Sequence, residues 1–517
     1  MKAFLRTFLC LAFISGATNL FSQSTGYVAI PDPAQSGYIA KIHRTSTNHY
    51  ISCGTSGSGS AQHEITYWDS GFNPVWCQYF ASAAVLYWID VVETNDGNFV
   101  ALGANQNNSG CNIAIKFNTS GTVLWQKEYY VSGNFLTSFC LAKAAGNDPG
   151  FVFGGGACAA SSFIIRCDAS GNILWQKEYY ITSSAGVQTT WCIVPENNSY
   201  VLGGDWLNGN QDDIFFTKID SAGTWQFTTL TNEPTLSEIP VKMIKLSTGN
   251  YAMICNYNSG PNYAELIYYF NSSGNIFQGT KFVGPANEQI DFRDVEETNN
   301  GQVMVVGDIN DSPMKYLYMK LSGGGVTVWQ KKATGVNPGY MNGTCYGVTK
   351  TPSGNYAIAG AAYEDGRTIT VIDTTGSGFC NAVAGNTTVA PPDAYTMSNF
   401  TPTIISPNVL AQTVSNTSTP LTLTHSTLCG TTGIDEAAAT EDLLQVYPNP
   451  ADDELNFSLG DRSLKDATVR FYNVLGDVLL EEKLDGASVN ISSLTPGIYF
   501  VEVMVDGKRM VKRVIKN

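Results

Sequence analysis

The stretch Arg166-Cys167-Asp168-Ala169-Ser170-Gly171-Asn172-Ile173-Leu174-Trp175-Gln176-Lys177-Glu178-Tyr179-Tyr180 decides the fold. Its second half, residues 174–180, is repeated letter for letter at residues 124–130. The central glycine recurs as Gly71, Gly121, Gly171, Gly223, Gly274, Gly325 and Gly376, at steps of 50, 50, 52, 51, 51 and 51. Three residues before it stands Asn118, Asp168, Asp220, Asn271, Ser322 or Asp373; only Trp68, in the first copy, departs. Asx or Ser at the first place and Gly at the fourth is the pattern of a type I turn closing into a bulged hairpin. The short polar side chain bonds the backbone two residues on, and glycine accepts a positive φ. An apolar run precedes each turn, as in Asn112-Ile113-Ala114-Ile115-Lys116-Phe117, and an aromatic follows: Trp76, Trp125, Trp175, Phe227, Phe277, Trp329 or Phe379. Each unit therefore contains a hairpin with one bulky anchor.

Working outward, a second turn lies upstream in every unit, as in Gly97-Asn98-Phe99 and Gly354-Asn355-Tyr356. The strand after it usually ends on glycine, as in Phe99-Val100-Ala101-Leu102-Gly103, and the innermost strand resembles Trp88-Ile89-Asp90-Val91-Val92-Glu93. Four antiparallel strands in about 50 residues, repeated, predict β-propeller blades, because a lone sheet of this size leaves both faces wet. Stacking in a ring buries each face on a neighbour. Seven copies predict an all-β, seven-bladed propeller over residues 23–384. A six- or eight-bladed ring is the alternative, since the terminal copies are the most degraded. Residues 27–30 either complete the last blade or lead into the first. The set Arg166, Asp168, Gly171 and Trp175 resembles bacterial propeller repeats with a Lys-x-Asp-x-x-Gly-x-x-x-Trp core, including tryptophan-docking quinoprotein blades. The resemblance implies fold and says little of activity; the aromatic series reads as packing between blades.

Composition narrows the function. Charged residues are 14% of the 517 and the formal net charge is -15. Residues 1–22 read as a signal peptide, with Lys2 and Arg6 ahead of an apolar core. Its removal gives -15 - 2 = -17, which argues against nucleic acid, whose binding needs a basic footprint. Leu9 before Cys10 does not fit a lipobox, the apolar run is too short for an anchor, and no other segment predicts a membrane span. Of 12 cysteines, 12 - 1 = 11 remain in the mature chain, an odd number. Cys140, Cys192 and Cys345 read as buried small hydrophobes, and Cys380 with Cys429 as a possible staple. His43, His49, His63 and His425 lack zinc-site spacing.

From 385 to 442 the chain turns to Thr, Ser, Pro and Asn, which predicts an extended linker with some strand. Residues 443–517 break the period. Short alternating runs there, such as Thr468-Val469-Arg470-Phe471-Tyr472, predict a small β-sandwich. Here Tyr447-Pro448-Asn449-Pro450, Tyr472-Asn473-Val474-Leu475-Gly476, Pro496-Gly497-Ile498-Tyr499 and the ending Lys512-Arg513-Val514-Ile515-Lys516-Asn517 are similar to the type A C-terminal sorting domain of the type IX (Por) secretion system of Bacteroidetes. The resemblance implies passage through the periplasm and delivery by that machinery to the surface or the medium. It gives Tyr447, Pro448, Asn449, Pro450, Gly476, Pro496, Gly497, Tyr499, Lys512 and Arg513 as the sorting signal. The basic tail, Lys508 to Lys516, either meets an acidic surface on the machinery or is an ordinary amphipathic edge strand.

No phosphate loop, dinucleotide fingerprint, nucleophile elbow or zinc-protease motif occurs, and no cofactor or metal is expected. Gly54-Thr55-Ser56-Gly57-Ser58-Gly59-Ser60 lacks the lysine of a phosphate cradle. Asp308-Ile309-Asn310-Asp311-Ser312 and Gln211-Asp212-Asp213 carry a weak calcium signal without completing an EF-hand loop. In propellers the loops from second to third strand cluster on one face. Asp205, Trp206, Asp212, Tyr257, Tyr263, Asp308, Asp311 and Tyr363 on those loops are the candidate ligand-binding residues. They suit a glycan or an extracellular protein, so the expectation is a non-catalytic binding or adhesion module. The alternative is a secreted carbohydrate-active hydrolase or lyase using Asp205, Asp308 and Glu364. A quinone-dependent dehydrogenase rests on blade similarity alone.

Overall fold

The computed structural model describes residues 26–30, 37–56, 62–80, 86–105, 111–131, 136–157, 161–180, 187–208, 211–232, 237–259, 262–284, 288–299, 301–310, 314–333, 343–362, 366–379, 383–384, 388–390, 396–400, 403–405, 410–413, 418–420, 426–430, 444–459, 464, 467–473, 478–484, 486–505 and 508–517. The chain divides into two compact units, Met1–Thr431 and Thr432–Asn517. Every regular element described is a strand.

The repeated hairpin forms as its residues dictate. Asp168 Oδ1 accepts the backbone N–H groups of Ser170 and Asn172, both at 2.8 Å, and Gly171 takes φ 75°. The strand pairing slips by one between Arg166 and Cys167, the expected bulge. The first copy is shifted by one residue. There Asp69 accepts from Gly71 N and Asn73 N, and Phe72, at φ 64°, occupies the place glycine holds elsewhere. The chain tolerates that conformation because the Phe72 ring is buried against Tyr50, 4.2 Å between centroids.

In the first unit seven five-stranded sheets follow one another. We number them 1 to 7 by their inner strands: Tyr38–Arg44, Leu86–Glu93, Leu136–Lys143, Gln188–Pro195, Ser237–Lys245, Ile290–Glu297 and Gly343–Lys350. Sheet 3 shows the order: Leu136–Lys143, Phe151–Ala157, Ser161–Cys167 and Ile173–Tyr180, all antiparallel. Seven hydrophobic clusters fill the seven gaps between successive sheets, including one between sheet 7 and sheet 1 around Ile39, Trp68, Ala359 and Ile369. The arrangement is all-β and propeller-like.

The anchoring aromatics join one sheet to the next. The indole N–H of Trp76, Trp125, Trp175 and Trp329 donates to the carbonyls of Thr119, Ala169, Ser221 and Thr374, in the hairpin turn of the following sheet, at 3.0 to 3.2 Å. Each such bond adds roughly 0.5–1.5 kcal/mol net. The turn glycine makes room: a Cβ on Gly223 would lie 3.0 Å from the Trp175 ring. In sheet 5 Phe277 is half exposed, and Tyr269 takes over, donating to Ser322 O at 3.2 Å.

Two segments outside the repeats complete the sheets. Gly26–Ile30 pairs with Gly366–Ile372 and is the fourth strand of sheet 7, so residues 27–30 complete the last sheet. The stretch read as a linker, together with the two residues before it, supplies the fifth strand of every sheet. Val383–Ala384 joins sheet 6, Thr388–Ala390 sheet 5, Thr396–Phe400 sheet 4, Thr403–Ile405 sheet 3, Leu410–Thr413 sheet 2, Ser418–Pro420 sheet 1, and Ser426–Gly430 pairs with Gly26–Ile30 in sheet 7. The chain thus runs back around all seven sheets in reverse order. Few large apolar residues are needed, because an edge strand is held by backbone hydrogen bonds to the strand it caps.

The second unit holds a three-stranded sheet, Leu444–Tyr447, Glu454–Leu459 and Ser488–Asn490, and a four-stranded sheet in the order Val478–Lys483, Thr468–Tyr472, Gly497–Val505, Lys508–Lys516. Both sheets bury residues in one cluster that includes Leu455, Phe457, Val469, Phe471, Val501 and Val514. Among the described residues no helix is long and apolar enough to cross a membrane. The signal-peptide segment 1–22 and the Cys380 end of the possible staple lie outside the described residues. Among the described residues Cys140, Cys192 and Cys345 are free and buried.

Candidate functional site

The inner strands share a feature that alternation in the sequence does not announce. Each carries a bulge, where the pairing skips Ala40, Ile89, Phe139, Trp191, Val241, Arg293 or Tyr346. A bulge re-aims the side chain at that place. All seven side chains are half-buried, while the residue before each is buried. Two pairs from neighbouring sheets lie side by side: Phe139 and Trp191 are 4.2 Å apart between centroids, and the Arg293 guanidinium is 5.9 Å from the Tyr346 ring. Tyr38 adds a second ring, 4.8 Å from Tyr346.

Two of the predicted residues feed this row. Asp205, in Ser199–Asn208, is buried, and the indole N–H of Trp191 donates to its Oδ1. Burial pushes the Asp205 carboxyl up to about 7; the Trp191 bond opposes the shift and the charge of Asp212 adds to it. Asp308, in Val303–Ile309, is buried too. Its Oδ2 accepts from Arg293 Nε at 3.1 Å and its Oδ1 from the N–H of Cys345 at 2.9 Å. Burial pushes this carboxyl up to about 7 against the opposing Arg293 charge. Arg293 also reaches Asp291, 3.5 Å away. A half-exposed guanidinium held by two carboxylates beside two tyrosines, and a stacked Phe–Trp pair backed by a third carboxylate, can stack on flat ligand faces and exchange hydrogen bonds at their edges.

The other predicted residues are placed differently. Trp206 is buried and packs with Ile193, Tyr200 and Phe215 between sheets 3 and 4, so it is a core residue. Asp212 is half-buried, and its backbone N–H bonds Ser237 Oγ at 3.2 Å. Tyr257 and Tyr263 belong to the paired strands Tyr251–Ser259 and Asn262–Phe270; their side chains lie outside the described residues, as do Asp311, Tyr363 and Glu364 entirely. Of the two segments with a calcium signal, Asp308 faces Arg293 and Asp213 is buried. Among the described residues no three His, Cys, Asp or Glu side chains cluster as metal ligands do.

Phe139, Trp191, Arg293, Tyr346 and Tyr38 were missed. A signal for the bulges exists. Ala40, Ile89, Val241, Arg293 and Tyr346 each stand eight residues ahead of a positive-φ turn residue: Asn48, Gly97, Gly249, Gly301 and Gly354. That constant interval marks the row once the turn is aligned.

All the described sorting residues lie in the second unit, and one of them, Asn449, meets another, Arg513. Asn449 joins the opening motif to the last strand: its Nδ2 donates to Arg513 O and its Oδ1 accepts from Ile515 N, both at 2.9 Å. Ala451 N donates to Ile515 O at 2.8 Å and Asn517 N to Ala451 O at 2.9 Å. The Tyr499 hydroxyl donates to Thr495 O at 2.6 Å, tying down the turn that carries Pro496 and Gly497. Lys508–Lys516 is an edge strand, with Val514 buried and Val511, Arg513 and Ile515 exposed; Lys512 is half-buried. Tyr447 is half exposed, Pro448 and Pro450 are exposed, and Gly476 lies outside the described residues.

No curated protein matches the chain. Among solved structures it is similar to Sqt1 from Chaetomium thermophilum, at 10% identity over 68% of this chain and 99% of that one, TM-score 0.40. Drosophila Semaphorin 2a matches at 7% identity over 95% and 97%, TM-score 0.38. PorZ, a surface component of the type IX secretion system of Porphyromonas gingivalis, matches at 9% identity over 95% and 100%, TM-score 0.16. The secretion system C-terminal sorting domain model matches residues 445–517. With the opening motif bonded to the final strand over that same span, the chain carries a type IX secretion system C-terminal sorting domain and is exported to the cell surface or extracellular space.

Proposed function

We propose that the chain is a non-catalytic binding or adhesion protein, delivered by the type IX machinery and taking a glycan or an extracellular protein as ligand. In this reading residues 1–22 are a removable signal peptide, 23–384 a seven-bladed β-propeller, 385–442 the belt that circles it, and 443–517 a sorting β-sandwich. Seven sheets with seven filled gaps, the last between sheet 7 and sheet 1, support a closed wheel. The observation that carries the binding role is the row of bulge side chains, where Phe139, Trp191, Arg293 and Tyr346 stay half-buried in an otherwise close-packed wheel. Rings left half-buried at the bulges suit stacking on sugars or side chains. The hydrolase alternative lacks this support: Asp205 and Asp308 stand on sheets 4 and 6, engaged by Trp191 and by Arg293 with Cys345.

The test is the mature chain on glycan and extracellular-protein arrays, beside a Phe139→Ala/Trp191→Ala variant. Ligands weakened tenfold or more by the variant support the reading; turnover of a bound polysaccharide, or binding indifferent to both rings, refutes it. Export is tested separately. A chain ending at residue 442 should accumulate in the periplasm, and its undiminished appearance outside the cell would contradict the sorting role.

A further inference from the structure

The bulge row carries more negative than positive charge. Beside Phe139 and Trp191 stand the carboxyls of Asp205 and Asp212, and the charge that bears on Asp205 is that of Asp212. Further round, the Arg293 guanidinium is met by both Asp291 and Asp308. Glu265 is buried in the field of Asp291 and Arg293, and burial pushes its carboxyl well up, so it adds no charge. Four carboxylates therefore stand against one guanidinium. The inner-strand lysines Lys41 and Lys242, one residue past the bulges at Ala40 and Val241, do not redress this. Asp90 lies in the field of both, and Lys242 is answered by Asp294 as well.

The excess is sharpest at the Phe139–Trp191 end. In the hairpin of sheet 4, Asp205 pairs with Ile214 and Leu207 with Asp212. Residues two apart on a strand share a face, so Asp205 and Asp212 stand on the same one. The indole N–H of Trp191 donates to Asp205 Oδ1, which holds the ring beside the carboxyl and occupies one of its oxygens. No side chain among the described residues donates to the other. The Asp212 carboxyl is half-buried and has no hydrogen-bond or ion-pair partner among the described residues; only its backbone N–H is engaged, by Ser237 Oγ. Two rings and two carboxyls thus lie together where the fold supplies no cation.

That combination selects for charge. A cation is drawn to the face of an indole by the ring quadrupole, and more so where carboxylates provide the counter-charge. A guanidinium suits it best: it is planar, it stacks on aromatic rings, and its N–H fork matches carboxylate oxygens. A neutral sugar would engage the rings and leave the charge unanswered.

Resting on the reading that the bulge row binds a ligand, we propose that its Phe139–Trp191 end takes an arginine side chain of an extracellular protein, the guanidinium lying on the rings and donating to Asp205 and Asp212. A lysine, with a compact ammonium that cannot stack, binds the same place more weakly.

The experiment is calorimetric titration of the mature full-length chain with tetra-arginine and with tetra-citrulline, which keeps the planar shape without the charge. It is run at pH 8, above the value of about 7 at which Asp205 titrates. Expected are binding of tetra-arginine, weakening as salt rises, and roughly tenfold weaker binding of tetra-citrulline. Trp191→Leu should lose roughly tenfold and Asp212→Asn about fivefold. The Asp212 side chain bonds nothing in the fold, so Asp212→Asn is expected to keep the wild-type melting temperature. Glu482→Gln removes the same charge from an exposed place in the second unit and should leave affinity unchanged. Equal binding of tetra-citrulline, or unchanged affinity in both site variants, overturns the proposal. So does an equal loss in Glu482→Gln, which would make the attraction a property of the acidic chain as a whole. If tetra-arginine does not bind while a neutral glycan still needs both rings, this inference falls and the binding role stands.

Discussion

Burial raises the Asp205 carboxyl to about 7, against the pull of the Trp191 hydrogen bond. An unfolded aspartate titrates near 4 (roughly 3.9). Between about pH 4 and 7 the folded chain therefore keeps a proton that the unfolded chain has released, and stability falls as pH rises through that window. Asp205→Asn removes this term. On going from pH 4 to pH 8 the variant should gain melting temperature relative to wild type, in calorimetric scans at matched ionic strength; parallel curves would mean the carboxyl stays ionised. Asp308 shifts in the same direction in both proteins, so it cancels in the difference. At this scale the turns were legible because their chemistry is local: an Asx oxygen, a positive φ, a bulge. The first copy shows the limit. Gly71 keeps the spacing, yet Asp69 and Phe72 make the turn, because a ring buried on Tyr50 offsets a φ that glycine would take freely. Trp206 shows another: a loop-edge tryptophan reads as a ligand platform until sheet 3 is seen to cover it.

The four strands of sheets 1 to 6, and the first three of sheet 7, were written in the chain as alternation and turns. The fifth was not. Segments such as Thr403–Ile405 and Ser418–Pro420 are three residues long and have no period to read, and their partners are edges hundreds of residues upstream. The belt covers only part of each outer strand: Tyr180, Tyr179 and Glu178 pair with Thr403, Ile404 and Ile405. Without it, all seven sheets would present open edges, which recruit other strands. A purified chain ending at residue 382 should therefore associate into dimers and larger species, whereas one ending at Thr431 should remain monomeric. Light scattering after size exclusion decides it; two monomers of equal monodispersity would mean the edges are protected by something other than the belt.

At the scale of the whole molecule, the seam between sheets 7 and 1 gathers three distant pieces of chain: Gly26–Ile30, the inner hairpins of sheet 7, and Ser426–Gly430. The sequence left the role of residues 27–30 open because a five-residue strand fits either reading; contact with Gly366–Ile372 resolves it. Across this seam Arg367 Nη1 meets Glu64 Oε2, and both side chains are 2% exposed. Neither residue belongs to a repeated motif, so only the packing of the last sheet on the first reveals the pair. Removing one partner of a buried ion pair leaves a charge without compensation, at a cost of about 3–5 kcal/mol, whereas replacing both is far milder. Arg367→Met alone should lower the melting temperature sharply, and adding Glu64→Leu should recover much of the loss. Hydrogen exchange locates the effect: in the single variant the amides of Gly26–Ile30 and Gly366–Ile372 should exchange before those of sheets 3 to 5. Uniform acceleration through all seven sheets would instead show that the first unit opens as one cooperative body, with the ion pair stabilising every interface rather than the seam.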